Sequence, residues 1–397
     1  MSVSQRQLFL NHVGQTSSAP VMLEICHAEG IYFHTTNGEK YIDLVSGVSV
    51  SSLGHNHPAV VEAVKKQADK YMHLMVYGEF VQSPQTAYAD WLTKRLPTKL
   101  DNVYYVNSGS EAIEGAMKLA KRCTGRSNII AFKNSYHGST QGAMSILGDE
   151  TYRSGFLPLL PGISHLDFND LSQLDQINDQ TAAVIVEPIQ AEAGIVEPED
   201  DFLKKLRRKC DETGAMLVFD EIQTGMGRTG KRFAFEHYGV VPDILCVAKS
   251  FGGGMPLGAF ISSREVMKSL TFNPPLGHIT TFGGHPVSCS AGFAAQQCIE
   301  SENLISHGRA MAEKYRTLLK HDGISKIRGK GLFLAVEISE YLDPDKLMQK
   351  IFEKGMVVDQ FLFCRNAFRI APPLIIKEEE VQNTSTLLLE ALDESIA

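Results

Sequence analysis

The sequence predicts an α/β protein built on a mostly parallel sheet with helices on both faces. Three observations predict it. From about residue 100 onward, apolar β-rich runs alternate with helical stretches, the pattern of strand-helix-strand units. The runs Ala182 to Pro188, Met216 to Asp220 and Ile244 to Ala248 are continuous in apolar residues instead of alternating, as in strands buried on both faces. Each run then ends in polar or glycine-rich sequence, at the strand edge where open α/β sheets hold their ligands.

Taken in order, residues 1 to about 45 read as an arm plus a hairpin, because GIYFHTTNGEKYIDL sets two β-rich runs around Asn37-Gly38. HNHP, His55 to Pro58, starts a helix through AVVEAVKKQADKY. The two histidines lack a partner acid or cysteine at ligand spacing, so no metal site is assigned. Asn102 to Val106 is a strand, NSGSEAIEGAMKLAKR a turn and helix, and Asn128 to Phe132 a strand. After Ala182 to Pro188 comes the helix DFLKKLRRKCDETG, closed at Gly214 as a C-cap. The strands Met216 to Asp220 and Ile244 to Ala248 follow. One long helix is then expected over roughly Val287 to Leu319 from its unbroken helical pattern. IRGKGLFLAVEI is β-rich, MVVDQ and FRIAP are short strands, and the last residues are helical. The expected division is 1–50 (arm and hairpin), 51–285 (large domain) and 286–397 (C-terminal α+β domain), since 397 residues exceed one ordinary core.

Composition excludes several classes. Hydrophobic content of 43% and charged content of 21% are ordinary for a globular protein. A net charge of -8 with no basic cluster argues against nucleic acid. No run approaches a membrane span, and the N-terminus shows no signal-peptide pattern. Seven scattered cysteines, never spaced as CxxC, suit reduced thiols, so a cytoplasmic protein is expected.

The strand ends carry a coherent chemistry. Lys249 closes an apolar run directly before Ser250, Phe251 and three glycines. A buried lysine loses its charge easily, and a neutral amine is a nucleophile toward aldehydes. Asp220 closes the neighbouring run, where a carboxylate needs a cationic partner: a protonated pyridine nitrogen, a structural arginine, or a loop to cap. Gln223 lies one loop turn on, placed to donate to a ring hydroxylate. Ser108, Gly109 and Ser110 open a helix, which is either a phosphate cradle or an ordinary N-cap. Tyr136 and His137, in NSYHGST, are placed to stack on and flank a flat ring. Glu187 and Glu192 leave another strand end in IVEPIQAEAG. Together these suit one phosphorylated aromatic aldehyde, pyridoxal phosphate, which needs a lysine, an acid facing its ring nitrogen and a phosphate site. The string Gly225, Gly227, Gly230 matches G-x-G-x-x-G, but DEIQT separates it from the strand and no clean helix follows, so a dinucleotide turn is set aside.

The ordered set SLGHNHP, NSGSEA, SYHG, EPIQAEAG, DEIQTGMGRTG, AKSFGGGMPLGA, TFGGHP and FRIAPPL resembles the fold type I, class III pyridoxal-phosphate-dependent aminotransferases, across nearly the whole chain. The resemblance implies a large domain on a seven-stranded-type sheet, a smaller domain made from both chain ends, and a homodimer with active sites at the interface. It implies transamination between a small-molecule amino donor and an oxo-acid acceptor, of the acetylornithine, ornithine or ω-amino-acid kind. The alternatives are an aminomutase on the same catalytic core and a fold relative without turnover. By motif, Lys249 matches the Schiff-base lysine and Asp220 the acid at the ring nitrogen. Gln223 matches the residue near the ring hydroxyl, Gly109 and Ser110 with Ser108 the phosphate turn, and Tyr136 the stacking aromatic. Thr281 matches a threonine reaching the phosphate of the neighbouring subunit, Arg369 a substrate-carboxylate arginine, and Glu192 an acid that pairs with it in the empty site. One departure stands out: Ser139 occupies a position where acetylornithine and ornithine enzymes usually carry an arginine.

Overall fold

A computed structural model of the chain describes residues 4–76, 78–199 and 201–396. Its strands in chain order are β1 Ile25–Glu29, β2 Tyr32–Thr35, β3 Lys40–Asp43, β4 Asn102–Val106, β5 Asn128–Phe132, β6 Ile163–Leu166, β7 Thr181–Val186, β8 Met216–Asp220, β9 Ile244–Val247, β10 Gly258–Ser262, β11 Ile324–Gly329, β12 Leu334–Ile338, β13 Met356–Val357, β14 Asp359–Gln360 and β15 Ala367–Ile370. The central sheet has seven strands in the order β4-β10-β9-β8-β7-β5-β6. Only β10 runs against its neighbours β4 and β9. The carboxyl ends of β4, β5, β7, β8 and β9 therefore share one edge.

The continuous apolar runs have their physical cause here. Successive strand residues point to opposite faces. Ala183 and Ile185 pack with the helix Gly109–Thr124, while Val184 and Val186 pack with the helix Phe202–Thr213. Both faces are covered, so neither set can be polar, and all of β7 is buried.

Two smaller sheets complete the fold. The hairpin around Asn37-Gly38 forms as expected, with Phe33 opposite Tyr41 and Gly38 at φ +87°. β13 adds to β3 in parallel, so the chain's two ends share the sheet β1-β2-β3-β13. β11-β12-β15-β14 is antiparallel.

The long helix expected over Val287–Leu319 is instead two, Pro286–Ser301 and Leu304–Leu318. Asn303 sits between them at φ +55°, a left-handed conformation that asparagine tolerates better than most residues. An N-terminal helix, Gln5–His12, forms inside the expected arm, opened by a Ser4/Gln7 capping box. β6, β10 and the helix Ser83–Thr93 were also not anticipated.

The glycine string proves structural. A Cβ on Gly331 would lie 2.5 Å from the Gly230 nitrogen, so two backbones cross where only glycine fits. Between Gly227 and Gly230 lies Arg228, fully buried, with its guanidinium donating to the Leu332 and Pro372 carbonyls and to Ser52 Oγ. It ties the central sheet's loop to segments from both chain ends.

Candidate active site

At the carboxyl edge of the central sheet lies a cavity of about 430 Å³. Ser108, Gly109, Ser110, Tyr136, His137, Glu187, Asp220, Gln223 and Lys249 all line it. These expected groups come from five strand ends, brought together by the parallel register.

Lys249 is held in an unusual backbone, φ +52°, which costs a non-glycine residue energy and so marks a position fixed by its surroundings. Burial lowers the pKa of its amine, against the opposing pull of Glu192, Asp220 and Glu187. A larger fraction of the amine is therefore neutral than for an exposed lysine, as a nucleophile or base requires.

Asp220 is not a lone carboxylate. Its Oδ2 lies 2.7 Å from His137 Nδ1, and its Oδ1 accepts from the Ile222 N–H at 3.0 Å. Burial alone would push the His137 pKa down, but the hydrogen bond and charge of Asp220, with Glu187 behind, leave it raised. This pairing was not foreseen: the sequence reading gave His137 the flank of a ring. Burial drives Glu187 up to about 8, so its carboxyl is mostly neutral at pH 7. It accepts the Tyr136 and Ala191 N–H groups, which ties two strand-end loops together.

The helix Gly109–Thr124 points its N-terminus into the same cavity. Ser108 is its N-cap, accepting the Glu111 N–H at 3.2 Å, so the ordinary capping role is real. The first-turn N–H groups remain an anion site. Gly138 is pressed against this turn, since a Cβ there would lie 2.0 Å from Ser110 Oγ. Ser139 fills its position with a short side chain whose hydroxyl pairs with Tyr136 Oη at 3.1 Å, while its N–H donates to Ser110 Oγ.

Arg369 and Glu192 are buried and joined, Nη2 to Oε1 at 2.8 Å. The other Glu192 oxygen accepts the Leu362 N–H. Arg369 Nε and Nη1 have no hydrogen-bond partner. Thr281 does not line the cavity; it is exposed on a loop before the helix Pro286–Ser301. The fold also brings Cys298 and Glu302 beside His57, with ligand atoms within 4.8 Å of one another, a proximity the spacing of the histidines did not reveal.

These residues fit pyridoxal phosphate. Two buried nitrogens of cavity-lining side chains, His137 Nε2 and Gln223 Nε2, have no partner in the chain. A helix N-terminus stands ready for a phosphate, an aromatic for a ring, a carboxylate for a ring nitrogen and an amine for an aldehyde.

Fold and site define an aminotransferase of the pyridoxal phosphate kind. The family model for class III aminotransferases matches residues 13–392, and the chain belongs to that family. It is 40% identical over 386 residues to the acetylornithine aminotransferase of Methanopyrus kandleri, covering 96% of both chains. It is 35% identical to the [LysW]-aminoadipate semialdehyde/glutamate semialdehyde transaminase of Sulfurisphaera tokodaii, covering 94% of this chain and 95% of that one. The ornithine aminotransferase structure from Toxoplasma gondii superposes with a TM-score of 0.90 at 30% identity, over 98% of this chain and 93% of that one. The expected reaction, cofactor and fold type thus hold. Among the described residues no helix is long and apolar enough to cross a membrane.

Proposed function

We propose that this aminotransferase takes a donor whose reacting amine lies at the far end from its carboxylate, or a simple ω-amine, and passes the amino group to an oxo acid. The buried Arg369–Glu192 pair carries this reading. With Glu192 on Arg369 the pocket has a balanced pair and admits an uncharged or basic end. With Glu192 displaced, the guanidinium offers a fork for a carboxylate. Ser139 supplies no second cation, which disfavours glutamate as the best donor. The relatives named for acetylornithine agree with such a donor.

When bound, pyridoxal phosphate supplies a ring that withdraws the electrons left by a broken C–H bond. Asp220, braced by His137 and Ile222, would face the ring nitrogen as a carboxylate that favours its protonated form. The first-turn N–H groups of Gly109 and Ser110 would receive the phosphate, and Tyr136 would stack on the ring. Lys249 Nζ, its pKa lowered by burial, would take and return the donor's proton as the base.

Arginine 369 gives the test. Arg369→Ala should raise KM for the carboxylate-bearing partner far more than for a simple amine, since losing a charge-assisted pair of this kind costs about 2–5 kcal/mol. Arg369→Lys keeps the charge without the fork and should recover only part. Half-reaction rates with an ω-amine, ornithine, acetylornithine and glutamate decide it. Glutamate as best donor, with its rate intact in Arg369→Ala, rules the reading out.

We further read the protein as a cytoplasmic homodimer whose active sites are completed across the two-fold. All seven cysteines are free. An apolar surface supports the dimer: Phe80, Val81, Leu276, Ile279 and Phe282 are exposed, Val81 at 93%. His73 packs on Phe282 with ring centroids 4.8 Å apart, joining the two segments. Such a patch beside Thr281 marks an interaction surface. Thr281→Ala should weaken cofactor retention, measured by dialysis and absorbance. A fully active monomer in sedimentation at assay concentration overturns the shared site.

A further inference from the structure

Arg369 has a second carboxylate beside it. β14 pairs antiparallel with β15, and the register sets Asp359 directly opposite Arg369. Opposed residues on paired strands share a face. Asp359 Oδ1 lies 3.4 Å from Arg369 Nε, close enough for an ion pair but without a hydrogen bond. That oxygen is shut away and has no partner, although the side chain as a whole is 31% exposed. The charged groups acting on it are Arg369 on its partner strand, Glu192 from the loop after β7, and Lys249 from the end of β9. Asp359 therefore stands opposite the substrate arginine and within the electrostatic reach of the lysine, and is partly open.

We propose that Asp359 is a specificity-determining residue: it is a second counter-charge on Arg369 that resists a substrate carboxylate unless it takes up a proton, and that favours donors with a cationic far end. The inference rests on the reading of Arg369 as the carboxylate site. With Glu192 and Asp359 both ionised, Arg369 is already over-balanced, two negative charges to one positive. An incoming carboxylate can displace Glu192, which sits on a loop. It cannot displace Asp359, which is part of the strand pairing that carries Arg369 itself. Three carboxylates would then contend for one guanidinium, and protonation of Asp359 relieves that.

Burial pushes Asp359 up to about 6, against the pull of Arg369. In the empty site it is mostly ionised at pH 7.5. A bound carboxylate raises its pKa further, so binding takes up a proton above pH 6 and none well below. Carboxylate affinity should fall as pH rises through that window.

The test uses the cofactor-loaded protein and two probes, glutarate, an unreactive dicarboxylate, and 1,5-diaminopentane, a donor with a cationic far end. Calorimetry of glutarate binding at pH 7.5, in two buffers of different ionisation enthalpy, counts protons. Wild type and Glu192→Gln should take up a proton. Asp359→Asn should take up none and bind glutarate about tenfold tighter, the equivalent of one pK unit. The KM for 1,5-diaminopentane should rise in Asp359→Asn by a similar factor. Equal proton uptake and affinity in wild type and Asp359→Asn overturn the assignment of Asp359 alone, provided Arg369→Ala still weakens glutarate. If Arg369→Ala binds glutarate as wild type does, the reading of Arg369 falls, and this one with it.

Discussion

Replacing Lys249 with alanine is expected to abolish turnover while leaving the fold intact. On the proposed reading the lysine is both the amine that would engage the cofactor's aldehyde and the base that would move the substrate proton. A positioned general base alone is worth about 10²–10⁴ in rate, so the combined loss should reach at least the upper end of that range. Structure loss is a poor rival explanation. The backbone at φ +52° is strained for lysine and equally so for alanine, so the substitution adds no new strain. The cofactor should still bind, because the helix N-terminus, Asp220 and Tyr136 are untouched. Borohydride reduction separates the outcomes. In wild type it should fix pyridoxal phosphate covalently to the chain, and in Lys249→Ala it should not. A variant that keeps covalent fixation or measurable turnover means another amine does this work.

How much of this was legible in the sequence depends on distance along the chain. Strand ends were legible because each apolar run and its polar terminus are local, and burial on both faces leaves an unbroken apolar string. β10 was not, since its residues follow the glycines after Lys249 and read as part of that motif. The break at Asn303 was hidden because the apolar pattern continues on both sides, while one left-handed residue changes direction. Pairings were the hardest to see. His137 and Asp220 lie 83 residues apart, and Glu192 and Arg369 lie 177 apart. Nothing local to either histidine or arginine names its partner. The second pair was expected only through a family resemblance, and the first not at all. Asp359 lies in MVVDQ, which reads as one short strand but divides into β13 and β14 in different sheets, and nothing local names Arg369 as its partner.

The same distances explain the site's electrostatics. Asp220, Glu187 and Glu192 all act on Lys249, with Arg369 paired to Glu192 and His137 to Asp220. The two buried ion pairs offset part of their desolvation cost in this way. Glu187, whose pKa rises to about 8, escapes that cost by staying mostly neutral.

Asp220→Asn should leave the fold and cofactor binding but cut turnover by about 10²–10³, by analogy with removing one preorganised electrostatic contact to developing charge. On the proposed reading the carboxylate would serve the reaction by favouring a protonated ring nitrogen; asparagine is nearly isosteric but carries no charge. His137 supplies a second readout that a merely structural role would not move. In wild type its pKa is raised, because the hydrogen bond and charge of Asp220 outweigh burial. A histidine raised in the folded state contributes stability that is fully present below its unfolded value, about 6.5, and lost as pH rises through the folded one. Removing the Asp220 charge leaves burial as the dominant influence, so the His137 pKa should fall. The variant should therefore lose stability relative to wild type mainly at mildly acidic pH, and the gap should close toward alkaline pH. Thermal unfolding from pH 5 to 9 measures that gap, and a histidine titration by NMR measures the shift. Near-native turnover in Asp220→Asn would place the ring's acid elsewhere. An unmoved His137 titration would show that the 2.7 Å contact does not set its charge.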